Sequence, residues 1–327
     1  MNLRVFTAFS GYDSQCLALD RAGIDYELVG WSETDKYAIA AHNAVYPQYA
    51  DRNYGDISEI DWKKVPDFDL FTYSSPCQDF STAGVQRGGE RGSGTRSSLL
   101  WECNGAIEVK RPKYLLFENV AALVGKKFIR LFNEWQLILE RMGYTNFTKV
   151  LNAKDYGVPQ NRERVFMISI LDCKQPYYFP KPIQLTKCLN DVVEDNVDEK
   201  YYLSDTAIRC FNRHAERQGG IGSGFGWKPT DGNVVANAIT THAGNRPSDN
   251  YIQVVSEDSY RIRKLTHKEC FRLMGVDDAD SDKIIAVLSN TRCYQVAGNS
   301  IVVDVLAAIF DQLFNGNKNI NQQTELF

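Results

Sequence analysis

Five short apolar runs, residues 3–9, 26–32, 70–73, 114–117 and 165–171, are separated by stretches with helical apolar spacing. That alternation constrains the fold more than any other feature. Strands that alternate with helices build βαβ units, whose strands lie largely parallel in a sheet covered on both faces, so the predicted class is α/β. Ser10-Gly11 turns the chain after the first run. Residues 14–22 then carry Cys16, Leu17, Leu19 and Ala22 at helical spacing, and Gly23 ends the pattern.

From about residue 179 the texture changes. Pro180 and Pro182, an acidic stretch over 194–199 and a glycine-rich segment over 219–226 predict a second, smaller and loopier domain. Regular patterning returns near Tyr260, where Thr266 is placed to cap a helix running through Met274 and residues 301–314 predict a closing helix. The expected domains are therefore 1–179, 180–260 and a return to the first over 261–327. The polar tail from Asn315 is expected to fray.

With 43% hydrophobic residues in 327, the chain can bury a large core. Its formal net charge of -4 announces no nucleic-acid partner, so any phosphate-binding surface must come from cations clustered on one face. The eight cysteines form no C-x-x-C pair, which predicts neither a zinc site nor a disulfide framework, and hence no metal and a reducing, cytoplasmic setting. Apolar runs are strand-length, and no membrane segment is expected.

Ligands of open α/β sheets collect at the carboxyl ends of the strands. The polar residues just past the predicted strands are Glu33, residues 74–78 and Glu118-Asn119. Gly11 followed by an acid about 20 residues later has the logic of a nucleotide site, although an ordinary turn reads the same way. Phe9-Ser10-Gly11-Tyr12-Asp13-Ser14 lacks the glycine repeat that close approach to a pyrophosphate needs. The expected ligand is an adenosine without phosphates, with Asp13 placed to meet a cationic or amino group. Cys77 follows Pro76 in a turn that would present a thiolate rigidly, though a cysteine taken alone is more often buried and inert.

Taken in order, these pieces resemble the DNA cytosine-C5 methyltransferase family over nearly the whole chain. The matching motifs are Phe9-Ser10-Gly11, Glu33-Thr34-Asp35, Gly55-Asp56-Ile57, Pro76-Cys77-Gln78, Glu118-Asn119-Val120, Gln160-x-Arg162-x-Arg164, the Arg263 to Glu269 motif Arg-x-Leu-Thr-x-x-Glu, and Gly298-Asn299-Ser300. Asp13 and Ser14 stand where the family usually has glycine. The resemblance implies a Rossmann-like S-adenosylmethionine-dependent methyltransferase domain with a smaller target-recognition domain, acting on double-stranded DNA.

Residue by residue, it implies that Phe9, Gly11, Glu33, Thr34, Asp56, Ile57, Pro76, Asn299 and Ser300 hold S-adenosylmethionine. Cys77 would add to cytosine C6 while Glu118 at N3 and Arg164 at O2 neutralise the ring's growing charge, with Arg162 orienting Glu118 or the loop above it. The base must first rotate out of the duplex. Residues 82–96, with Arg87, Arg91 and Arg96, suit a lid that settles on phosphates; Phe225 would fill the vacated space and Thr240 hold a phosphate beside it. Arg217, Gln218, Lys228, His242 and Arg246 are candidate base readers. The implied setting is a cytoplasmic monomer, with a cognate restriction endonuclease as a separate companion. A structured RNA substrate, a catalytically silent DNA-binding relative and a nicotinamide dehydrogenase are the competing assignments.

Overall fold

The computed structural model describes residues 2–75, 99–219, 227–256 and 259–316. The chain divides into two compact units, one of Met1–Asn152, Glu163–Pro182 and Val303–Phe327, the other of Ala153–Arg162 and Ile183–Val302.

A six-stranded sheet organises the first unit. Strands β1 (Leu3–Ala8), β2 (Tyr26–Ser32), β3 (Leu70–Tyr73) and β4 (Tyr114–Val120) are parallel, and β5 (Tyr144–Asn152) and the later β7 (Glu163–Leu171) complete the order β2-β1-β3-β4-β7-β5. β7 runs antiparallel to both its neighbours. β1 is buried along nearly its whole length, as expected of a strand covered on both faces. β5 is the strand the apolar pattern does not reveal: Thr145, Asn146 and Lys149 interrupt it, because it lies at the sheet edge and is half solvated. One face carries an aromatic core in which Phe6, Trp62, Phe68, Phe71, Tyr73 and Phe117 pack ring against ring. Connections from β1 lead to β2 on one side and to β3 on the other, which makes the carboxyl ends of β1 and β3 the topological switch point where such sheets bind ligands.

Helices α1 (Ser14–Arg21), α2 (Lys36–Val45), α3 (Cys103–Lys110) and α4 (Ile129–Arg141) belong to this unit. The closing helix, α9 (Val303–Phe314), packs on α1 and is pinned by Arg21 Nη1 to Asp304 Oδ1 at 2.9 Å. Asn290–Phe314 is apolar and long enough to cross a membrane, but 67% of its most apolar window is buried inside the protein and residues 300–302 break the helix.

The second unit holds α5 (Asp205–Gly219), α6 (His267–Leu273), α7 (Asp278–Val287), α8 (Asn290–Asn299), a hairpin of β9 (Tyr251–Ser256) and β10 (Ser259–Lys264), and a two-residue parallel pairing of β6 (Gln160–Asn161) with β8 (Ala236–Asn237). Residues 261–302 fall in it because polar bonds tie them there. Glu269 accepts from Glu194 N, Thr266 Oγ1 donates to Glu194, and Gln160 Nε2 donates to the Leu273 carbonyl. The Arg-x-Leu-Thr-x-x-Glu motif proves to be a fold element: Thr266 and Glu269 form a capping box for α6, and Arg263 grips Glu269 through two bonds of 2.9 and 2.8 Å with both residues buried.

Candidate active site

The turn after β1 places three residues in the left-handed region within five positions: Phe9 at φ 56°, Gly11 at φ 61° and Asp13 at φ 66°. Only glycine adopts that region freely, so a phenylalanine held there is an outlier of the kind that clusters at functional sites. Gly11 N donates to Glu33 Oε2 at 3.1 Å, while Glu33 Oε1 accepts from the backbone of Thr34 and Asp35 at 2.8 and 3.0 Å. The carboxylate is therefore fixed at the end of β2 by three backbone donors. A phosphate-binding turn offers its amides to the ligand; this one spends an amide on a carboxylate and leaves negative charge at the sheet edge. Nothing lies within 4 Å of where a Gly11 Cβ would project, so there is room beside the turn. Those residues fit an adenosine with neutral or cationic substituents.

Asp56 Oδ1 accepts from Ser58 N and Ser58 Oγ, capping the short turn Ile57–Glu59, and the Ile57 side chain is part of the core. Asn53 joins this turn to Glu33. Its Oδ1 accepts from Glu33 N and Gly55 N, and its Nδ2 donates to Glu33 O.

Two turns along the same sheet edge, Glu118 and Arg164 meet. The register of β4 on β7 sets Glu118 opposite Phe166 and Val120 opposite Arg164, so Glu118 and Arg164 are diagonal neighbours on one face. Arg164 Nε lies 3.3 Å from Glu118 Oε1, and the Glu118 side chain is 8% exposed. Next to it, Asn119 Nδ2 donates to the Ser75 carbonyl at 3.1 Å, and both residues are buried. Ser75 is the residue before Pro76-Cys77 in the chain.

In the second unit, Gln160 and Arg162 clamp one peptide. Gln160 Oε1 accepts from Ile239 N at 2.8 Å, and Arg162 Nη1 donates to Ile239 O at 2.8 Å. Arg162 Nη2 also donates to the carbonyls of Gly298 and Ser300, at 3.0 and 2.8 Å. The segment carrying Thr240 is thus fixed to the end of α8. Gly298 is required at that contact: a Cβ there would stand 2.4 Å from both Thr240 C and Thr241 N, which are backbone atoms with no room to yield. Gly298→Ala is expected to destabilise this unit by about 1–3 kcal/mol, the usual effect of overpacking. A lowered melting temperature checks it; a parental value would contradict the contact.

The family model for C-5 cytosine-specific DNA methylases matches residues 3–315. The chain belongs to that family. The methylase is 39% identical to the type II methyltransferase M2.ScrFI of Lactococcus lactis subsp. cremoris, over 95% of its own length and 99% of the relative's. It is 36% identical to the orphan methyltransferase M.SssI of Spiroplasma monobiae, over 83% of its own length and 72% of the relative's. Its fold is similar to that of the S. pombe Dnmt2 methyltransferase, with a TM-score of 0.76 at 19% identity, covering 96% of this chain and 99% of that one. These findings make it a DNA (cytosine-5-)-methyltransferase with an α/β methyltransferase fold.

Of the residues expected to serve the methylase, Phe9, Gly11, Glu33, Thr34, Asp56, Ile57, Glu118 and Arg164 lie in the first unit, and Arg162, Thr240, Asn299 and Ser300 in the second. Pro76, Cys77, Arg87, Arg96 and Phe225 lie outside the described residues, as do Arg91 and the side chain of Gln218. One expectation changes. Asp13 does not face a ligand: it is fully buried, caps α1 by accepting from Cys16 N, accepts from Thr7 Oγ1 at 2.9 Å, and lies 3.5 Å from His42 Nε2. Its carboxylate replaces the family's usual glycine by stabilising the same left-handed turn from inside. Arg162, expected to orient Glu118 or the loop above it, braces the Ile239 and Gly298–Ser300 backbone within its own unit. Asn53 and the backbone grip of Asn119 were missed, because a single asparagine near a turn carries no distinguishing pattern.

Proposed function

We propose that the methylase takes its methyl group from S-adenosylmethionine and delivers it to C5 of a cytosine rotated out of a specific duplex, through a transient bond between Cys77 and C6. The observation that carries this reading is the pair of buried Glu118 and half-buried Arg164 beside Asn119, which holds the residue preceding Pro76-Cys77. S-adenosylmethionine supplies an electrophilic methyl that C5 can take only after the ring is activated. Cys77 as thiolate adds to C6, and Glu118, carrying a proton, donates it to N3 as electron density moves into the ring. Arg164 favours the carboxylate that Glu118 becomes, and by the family resemblance also meets O2. Loss of the C5 proton to solvent lets the ring expel Cys77 and return the N3 proton to Glu118.

On the cofactor side, Glu33 serves the ribose hydroxyls, with Thr34 beside it, while Phe9 and Asp56-Ile57 meet the adenine. By the same resemblance Pro76, Asn299 and Ser300 serve the sulfonium and methionine end, Thr240 and Phe225 the flipped site, and Arg87 and Arg96 the phosphates. The methylase acts in the cytoplasm as a monomer, and a cognate restriction endonuclease would recognise the same DNA separately. Charge-assisted hydrogen bonds contribute about 1.5–3 kcal/mol, so Glu33→Gln is expected to weaken S-adenosylmethionine binding by roughly 10-fold to 100-fold in calorimetric titration. Unchanged affinity would remove Glu33 from the site.

Incubation with methyl-labelled S-adenosylmethionine and genomic duplex DNA, followed by digestion to nucleosides, is expected to place the label in 5-methylcytosine. Label recovered only with structured RNA, or in no nucleoside, would contradict the proposal. Bisulfite sequencing of the same DNA reads out the target sequence.

A further inference from the structure

The helix α5 (Asp205–Gly219) is amphipathic in a specific way. At 100° per residue, Ala207, Ile208, Phe211 and Ala215 fall on one side, and Phe211 seats there against Trp227 and Tyr251 with ring centroids 4.9 and 5.6 Å apart. The opposite side carries Arg209, Arg213 and Arg217, each four residues from the next and each exposed. Among the described residues none of the three takes part in an ion pair; Arg209 donates only to the Thr206 hydroxyl, at 3.3 Å. In a chain whose formal charge is -4, three cations aligned on one solvent face form a local reversal of sign.

We infer that this arginine stripe is a rail for the phosphate backbone of duplex DNA, and that it contributes affinity without reading sequence. The inference rests on the proposed DNA function and adds a surface to it. With a rise of 1.5 Å per residue the stripe extends about 12 Å. One strand of B-DNA places a charge about every 3.4 Å along the axis, so the stripe faces about three phosphates. Arginine offers a planar fork of donors suited to phosphate oxygens, and the packed aromatic side of the helix keeps the stripe oriented. Arg217 thereby leaves the set of candidate base readers for the set of backbone contacts. Asp205 and Glu216, both exposed, lie together along one edge of the stripe and leave its other edge without a carboxylate on this helix.

Replacing all three arginines by alanine leaves the buried side of α5 intact and places a strong helix former at each position. The affinity of the parent and of this variant for a mixed-sequence linear duplex is measured across a salt series, with circular dichroism melting as the control for folding. Each phosphate contact adds about 0.9 to the slope of log affinity against log salt, so the variant is expected to lose between two and three units of slope. Between 50 and 200 mM salt that is roughly a 15-fold to 60-fold smaller loss of affinity than the parent shows. The matching triple lysine variant is expected to keep the parental slope, because it keeps the charge. A triple alanine variant with parental slope would overturn the rail, including the case in which the stripe serves an acidic protein surface instead. If the parent itself bound no duplex at any salt, both the rail and the DNA function beneath it would fall.

Discussion

Arg263→Ala is expected to lower the unfolding free energy by about 3–5 kcal/mol, because it strands a buried carboxylate. Glu269 is fully buried and holds both guanidinium nitrogens of Arg263 at 2.8 and 2.9 Å, so removing the arginine leaves a charge with no solvent to screen it. The same carboxylate accepts from Thr266 N and Glu194 N, both at 2.8 Å, and so joins the cap of α6 to the 194 segment. A distinguishing control is the double change Arg263→Met with Glu269→Gln. It strands no ion, and a glutamine still takes the Thr266 N–H, so it is expected to recover most of the lost stability. Urea unfolding of the three proteins checks the argument. A double variant no more stable than Arg263→Ala would show that packing around Arg263, rather than its charge, is what matters.

Glu118→Gln is expected to reduce kcat by roughly 10²-fold to 10⁴-fold, the usual contribution of a positioned proton donor. The amide keeps the shape of the side chain and its place on β4, but it cannot deliver a proton to N3 and does not attract Arg164 as a carboxylate does. DNA and S-adenosylmethionine affinities are expected to stay close to parental, so the loss should appear in single-turnover kcat rather than in KM. A variant that lost duplex binding in step with kcat would instead make Glu118 a structural partner of Arg164.

The central strands were legible because a strand covered on both faces must be apolar throughout, as β1, β3 and the first part of β4 are. β5 was not, because an edge strand needs burial along little of its length and its polar residues hide it. At the site, Glu33 and Glu118 could be picked out because they stand just past apolar runs where an α/β sheet binds ligands. Asp13 misled for the same reason: position at a strand end does not distinguish a side chain turned to the ligand from one turned inward to cap a helix. The bonds of Arg162 to backbone carbonyls 77 and 138 residues away were not legible, because no local pattern encodes a grip on a peptide. The bonds from Gln160 and Glu194 that hold α6 in the second unit are likewise long-range and polar, and no local pattern encodes them. Of the motifs that carried the family resemblance, Arg263 to Glu269 and Gly298 are explained by packing and capping alone, which is why a strong motif need not mark a catalytic residue.

The most direct test of the mechanism is covalent trapping. Duplex DNA carrying 5-fluorocytosine in place of cytosine, incubated with S-adenosylmethionine and the methylase, offers a C5 substituent that cannot leave as a proton does. Cys77 should then remain bonded to C6, and a denaturation-resistant protein–DNA adduct should accumulate with the parent and be absent with Cys77→Ser. An adduct that formed equally well with Cys77→Ser, or none with the parent on DNA that it methylates, would contradict the account.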